Sequence, residues 1–320
     1  MNSTEYPVTE EEIAYTAILG TIVYIGGFIG NFLSLTIFVR EDIRHVSTGL
    51  LFLFLTISNS FQLLTLTIEF IDVAYNIRLF ACVVIRCRIL YWFQNIFRAL
   101  SSYTACTISC DRMFRALYPI RAKQVCTCRV AWRIVCIYYF VFACSLTFYL
   151  LPFMQENSDG ICITSSDPTY DKFLSVIWPP IRTVVVCVLP VSIMISTNIF
   201  LWRRVRESRR RTSPLSSHTD RMLIFITISN VLAFIITQIP FHVYATIVRY
   251  KQSIEHMRTP MLLWSSLYFG IGFYIYSLTS PYFRSKFLLS LRHCFQRQNS
   301  NRIHQQIQQY TISQRNQSKK

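Results

Sequence analysis

The chain is poor in charge of one sign. Its 320 residues carry 16 acids against 32 Lys and Arg, and charged residues make up only 15% of the whole. A further shortage is of paired metal ligands: Cys126-x-Cys128 has no second pair nearby, which argues against a zinc site. Residues 1–12 are acidic and lack a basic n-region, so no cleavable signal is expected and the first apolar span serves as the anchor. No constellation of nucleophile, base and orienting group is present, which argues against an enzyme. No internal repeat is found, which argues against a transporter built from two related halves.

What the chain has is apolar length. Apolar residues make up 52%, and mean hydropathy is +0.35, values that suit one membrane domain better than two soluble ones. The net charge of +16 raises the question of nucleic acid, and the distribution of charge answers it. With the spans placed below, cytoplasmic pieces hold 23 of the 32 Lys and Arg, in residues 40–47, 112–133, 203–221 and from 284 onward, and only five of the sixteen acids lie on that side, counting Asp111 at its edge. This is the positive-inside asymmetry of a multi-pass protein, with the N-terminus outside and no role for nucleic acid. Five of the eleven cysteines, Cys106, Cys110, Cys136, Cys144 and Cys187, fall inside apolar spans and behave as small hydrophobes.

The stretch from Cys87 to Arg121 organises the rest. Cys87 lies 25 residues before Arg112, about 37 Å at the helical rise, enough to cross the roughly 30 Å of hydrocarbon. Gln94, Arg98, Ser101, Ala105, Ile108 and Arg112 recur at steps of four and three, so they share one face, and in lipid that face must point inward. The foot of this segment, Asp111-Arg112 followed by LYPIRAK, resembles the third transmembrane helix of the rhodopsin-like (class A) G-protein-coupled receptors, with Met113 where the family motif has Tyr. Other spans add partial matches. These are Gly30-Asn31, Asn59 in place of the second helix's Asp, Trp132, Pro190, Phe234 and Pro240 with Thr237 and Gln238 replacing Cys and Trp, and Tyr276 of the seventh-helix motif.

The resemblance implies an all-α membrane protein, a seven-transmembrane helix bundle with a short amphipathic C-terminal helix. Its divisions are an extracellular N-terminus (1–12), the transmembrane domain (13–280), the amphipathic helix (281–295) and a disordered cytoplasmic tail (296–320). The spans are expected at about 13–39, 48–74, 87–112, 130–151, 178–202, 222–248 and 260–280. It also implies a disulfide from Cys87 to Cys162 of the second outer loop, with Cys82 as a competing partner. Asn2 of the Asn2-Ser3-Thr4 sequon is a glycosylation candidate and Cys294 a palmitoylation candidate. Arg209-Arg210-Arg211-Thr212-Ser213 reads as a topogenic charge cluster, with phosphorylation as the competing reading.

The function so implied is that of a plasma-membrane receptor that passes binding of an extracellular ligand to a heterotrimeric G protein, with no enzymatic activity and no cofactor. Coupling falls to Asp111, Arg112, Ile120 and Tyr276. With no intramembrane Lys in the seventh helix there is no Schiff-base site for retinal. The family's sodium site would comprise Asn59, Ser101 and Gly272 here, and without a carboxylate it has no charge for a hard cation. Agonist affinity is therefore expected to be alike in sodium and in equimolar potassium, and a specific loss in sodium would contradict this. Asn198 replaces the fifth helix's Tyr, which points to a looser switch. Competing readings are a receptor with only constitutive output and a transporter.

The ligand is expected at Glu69, Gln94, Arg98, Arg182, Gln238 and His242. Amine receptors carry an Asp where this chain has Gln94, so a biogenic amine fits poorly. Arg98 stands about 16 Å below Cys87, near mid-bilayer, where a charge costs at least about 2.5 to 3.5 kcal/mol. Glu69 offers an internal counter-charge but stands about 10 Å higher by helical rise. The expectation is a peptide, amidated or acidic, that brings an anion or carbonyl oxygens to Arg98 and a basic end to Glu69.

Overall fold

The computed structural model describes residues 10–75, 77–156, 162–164, 167–210, 218–248, 257–279, 281, 283–285, 287 and 288. Asn2, Thr212, Ser213 and Cys294 lie outside them. Long helices dominate: α1 (Glu10–Phe38), α2 (Ser47–Tyr75), α3 (Leu90–Leu117) and α4 (Cys128–Ser145). The fifth, α5, joins Trp178–Thr183, a π-helical turn Val184–Val188 and Leu189–Arg210; α6 is His218–Ile247 and α7 is Arg258–Thr279.

Six of these crossings are long and apolar enough to span a membrane by length and composition alone, and α3 is not among them. The reason is the polar ladder on α3. Gln94, Asn95, Arg98, Ser101, Ser102 and Thr104 are all buried, because the other helices pack around α3 and shield its polar face from lipid. Large apolar side chains such as Phe32, Ile137, Phe140 and Ile236 face outward instead, as they do on a protein solvated by lipid tails.

Two backbone approaches fix the bundle. Gly27 of α1 meets Gly270 of α7, where a β-carbon on Gly270 would lie 2.7 Å from the Gly27 Cα. Only two glycines allow that contact. Nearby, Asn31 Nδ2 donates to the Phe269 carbonyl at 2.9 Å, so the Gly30-Asn31 pair ties α1 to α7. In α5, Pro190 removes a backbone donor, and the Tyr103 hydroxyl of α3 donates to the Val185 carbonyl at 3.2 Å.

The observed boundaries differ from the expected ones at three places, one of them the inner end of α5, which runs on to Arg210 rather than ending near 202. Helix α4 ends at Ser145 and tightens into a 3₁₀ turn over Thr147–Leu150, after which Leu151 is extended because Pro152 follows it. The helix leading into α5 starts at Pro168, not near 178, since Asp167 caps it by accepting from the backbone of Thr169 and Tyr170 and Pro168 occupies the first turn. The outer loop between them carries a hairpin of β1 (Met154–Glu156) and β2 (Cys162–Thr164), antiparallel with Gln155 opposite Ile163.

After α7, residues 281, 283–285, 287 and 288 are helical. Phe283 is buried against Tyr276 and Phe287 packs on Phe273, while Leu288 is exposed, an amphipathic arrangement.

Candidate functional site

The Cys87–Cys162 disulfide ties the outer end of α3 to β2, with 5.5 Å between the Cα atoms, and Cys82 is free and exposed. Arg88 strengthens the same join by donating to the carbonyls of Pro152 and Met154. The hairpin is thereby held over the outer ends of the helices.

Below it, five of the six expected ligand residues fall into two groups. Glu69 and Gln94 belong to the first: Gln94 Nε2 donates to Glu69 Oε2 at 2.7 Å, and Arg258 Nη2 donates to Glu69 Oε1 at 3.3 Å. Glu69 therefore has its counter-charge from Arg258 at the start of α7. Glu69 and Arg258 border a small cleft between α1, α2 and α7, lined also by Tyr24, Phe70 and Leu262.

The second group is cationic and lies deeper. Arg98 is 4% exposed, and its guanidinium carbon sits 4.4 Å from the Phe241 ring centroid of α6 and 5.7 Å from that of Phe269 of α7. Its Nη1 is buried without a hydrogen-bond partner, as are Arg182 Nε and both ring nitrogens of His242. Thr183 Oγ1 donates to the His242 carbonyl at 3.3 Å and pairs with Thr246 Oγ1 at 2.9 Å, which brings Arg182 of α5 beside His242 of α6. Arg98, Arg182 and His242 are close enough to act on one another electrostatically. Gln238 is separate in role: it is buried and donates to the Ser265 carbonyl at 2.8 Å, a tie between α6 and α7.

At the cytoplasmic end Asp111 is almost fully enclosed. Ser47 Oγ donates to its Oδ1 at 2.7 Å, Thr48 donates to Oδ2, and Arg115 Nε donates to Oδ2 at 3.0 Å. Arg115 Nη2 continues to Ser47 Oγ at 2.7 Å and to the Cys126 carbonyl at 2.9 Å, linking α2, α3 and the loop before α4. Burial and the nearby Asp111 carboxylate push the Cys126 thiol up to about 11, so it is protonated at neutral pH. Arg112 is half-buried beside this cluster. Ile120, on the short helix Pro119–Val125, is 82% exposed, whereas Tyr276 is buried and its ring packs edge-on to Phe38 and Phe52.

Sequence reasoning missed Arg258, Arg115, Ser47 and Thr48. Arg115 stands four residues after Asp111, a helical pairing distance that was there to be read. Nothing local marks Arg258.

The match to the family model for 7 transmembrane receptors (rhodopsin family) extends over residues 30–271. The chain is also similar to galanin receptor 2b of Danio rerio, 24% identical over 304 residues, covering 90% of this chain and 78% of that one. With seven long helices, a polar central helix and the Asp111-Arg112 foot inside the matched residues, the chain is a multi-pass membrane receptor and belongs to the rhodopsin family of seven-transmembrane receptors.

Proposed function

We propose that this receptor sits in the plasma membrane with its N-terminus outside and passes the binding of an extracellular peptide to a heterotrimeric G protein. The observation that carries the ligand reading is the buried Arg98: its Nη1 has no partner, and the carboxylate nearest in role, Glu69, is engaged by Arg258 and Gln94. A cation near mid-bilayer needs compensation, and a peptide's carboxylate or carbonyl oxygens entering beneath the hairpin would provide it. The similarity to a galanin receptor supports a peptide as the class. A basic end of the ligand would meet Glu69 at the cleft between α1, α2 and α7. On the inner side, Arg112 and the exposed Ile120 form the coupling surface, the enclosed Asp111 holds the foot of α3 beside them, and Tyr276 steadies the inner half of α7 against α1 and α2. Agonist binding shifts the population toward the coupled state only by its differential affinity for the two states.

The test is a screen of neuropeptides and carboxylates for second-messenger response, with hits repeated on Arg98→Gln and Glu69→Gln. Potency should fall at least tenfold for Arg98→Gln. Unchanged potency there, with expression lost only for Glu69→Gln, would make the arginine structural and remove the ligand reading.

A further inference from the structure

Three nitrogen-bearing side chains from three helices converge in the middle of the bundle, and no carboxylate of the described residues forms an ion pair with them. Arg98 of α3 places its guanidinium carbon 4.4 Å from the ring centroid of Phe241 of α6, the residue beside His242. Arg182 of α5 is brought to the same level by the hydrogen bond from its neighbour Thr183 to the His242 carbonyl. His242 is 1% exposed and Arg98 4%, so both are closed off from the surroundings. Arg98 Nη1, Arg182 Nε, and His242 Nδ1 and Nε2 have no hydrogen-bond partner. Among the described residues the carboxylate that acts on Arg98 is Glu69, whose oxygens already accept from Gln94 and Arg258.

Two guanidiniums held near one another repel, and in a low-dielectric interior they repel strongly. Aromatic faces ease the charge of one of them only in part. The arrangement is stable if something negative sits between them, and no part of the described chain does so. We propose that Arg98, Arg182 and His242 hold a free monovalent anion, of chloride size, in the ligand-free receptor. The walls favour such an ion over a polyanion: Phe241 and Phe269 cover Arg98 and offer no further donors to a larger oxyanion. A small, singly charged ion also gives up its water at lower cost than a phosphate. The ion stabilises the resting bundle by bridging α3, α5 and α6, and an entering carboxylate would displace it. The inference concerns the same cations as the ligand reading but does not depend on a ligand existing.

The experiment uses the full chain purified in detergent, with no ligand or G protein, melted in sodium chloride and in sodium gluconate at equal concentration. Saturating chloride should raise the thermal midpoint by about 2 to 4 °C over gluconate. Arg98→Gln should lose that difference, and so should Arg182→Gln, whose side chain is only half-buried and whose replacement is the milder. Arg88→Gln, which alters a basic residue at the outer loop, should keep it. A midpoint equal in both salts for the unaltered chain would overturn the proposal, and so would a chloride gain that persists in both the Arg98 and Arg182 variants. Because the reading is a melting difference without ligand, its failure leaves the peptide screen standing, and an empty peptide screen leaves the anion site standing.

Discussion

Arg258 Nη2 lies 3.3 Å from Glu69 Oε1, joining the first turn of α7 to the outer half of α2. The Arg258 side chain is 53% exposed and that of Glu69 16%, so the pair is a partly wet ion pair, and screening limits its worth. Single replacements Glu69→Gln and Arg258→Gln should each lower the melting midpoint, with a coupling energy in the double-mutant cycle of about 0.5 to 1 kcal/mol. A coupling of zero would mean that the two charges are held by other contacts.

The Cys87–Cys162 bridge closes a separation of 75 residues, and removing such a bridge costs about 2 to 5 kcal/mol. Cys87→Ser and Cys162→Ser should reduce surface display to similar extents, and the double replacement should be no worse than either. Losses that add would show that each thiol acts alone.

Gly270 and Gly272 provide a paired test of packing. A methyl on Gly270 would meet the Gly27 Cα at 2.7 Å, backbone against backbone, whereas one on Gly272 would meet the Tyr276 ring at 3.5 Å, an ordinary contact. Gly270→Ala should therefore force α1 away from α7 at a cost of about 1 to 3 kcal/mol, while Gly272→Ala should be near neutral. Equal melting midpoints for the two variants would refute the close approach.

The parts of this architecture that were legible in the sequence are those written in a single helix. The ladder from Gln94 to Arg112 repeats at helical spacing, so its inward face followed from periodicity, and every span was located to within a few residues apart from the ends of α4 and α5 and the start of the helix leading into α5. The end of α4 and the start before α5 came from Pro152, Asp167 and Pro168, local signals that the apolar runs on either side concealed. The hairpin was not legible because strands of three residues have too little alternation to stand out from a loop. Arg258 was not legible either, since its partner Glu69 lies 189 positions away and only the folded bundle brings them together. The separation of Glu69 from Arg98 was foreseen from helical rise, but what satisfies Glu69 instead was not.

Asp111 accepts from Ser47, Thr48 and Arg115, so the carboxylate at the foot of α3 is tied to α2 and, through Arg115, to the carbonyl of Cys126. These contacts hold the inner ends of α2, α3 and the loop before α4 together. Arg115→Gln removes the charge-assisted member of the set and leaves an enclosed carboxylate with hydroxyl donors alone, a loss of about 1 to 3 kcal/mol from the arrangement that contains it. If that arrangement is the resting one, ligand-independent guanine-nucleotide exchange on a co-reconstituted G protein should rise several-fold in Arg115→Gln. Arg112→Ala acts at the opposite pole: it should abolish agonist-driven exchange while surface display stays intact, because the side chain proposed to meet the G protein is gone but the Asp111 cluster is not. Undiminished exchange in Arg112→Ala would remove that residue from coupling, and unchanged basal exchange in Arg115→Gln would show that the cluster holds the fold without restraining the switch.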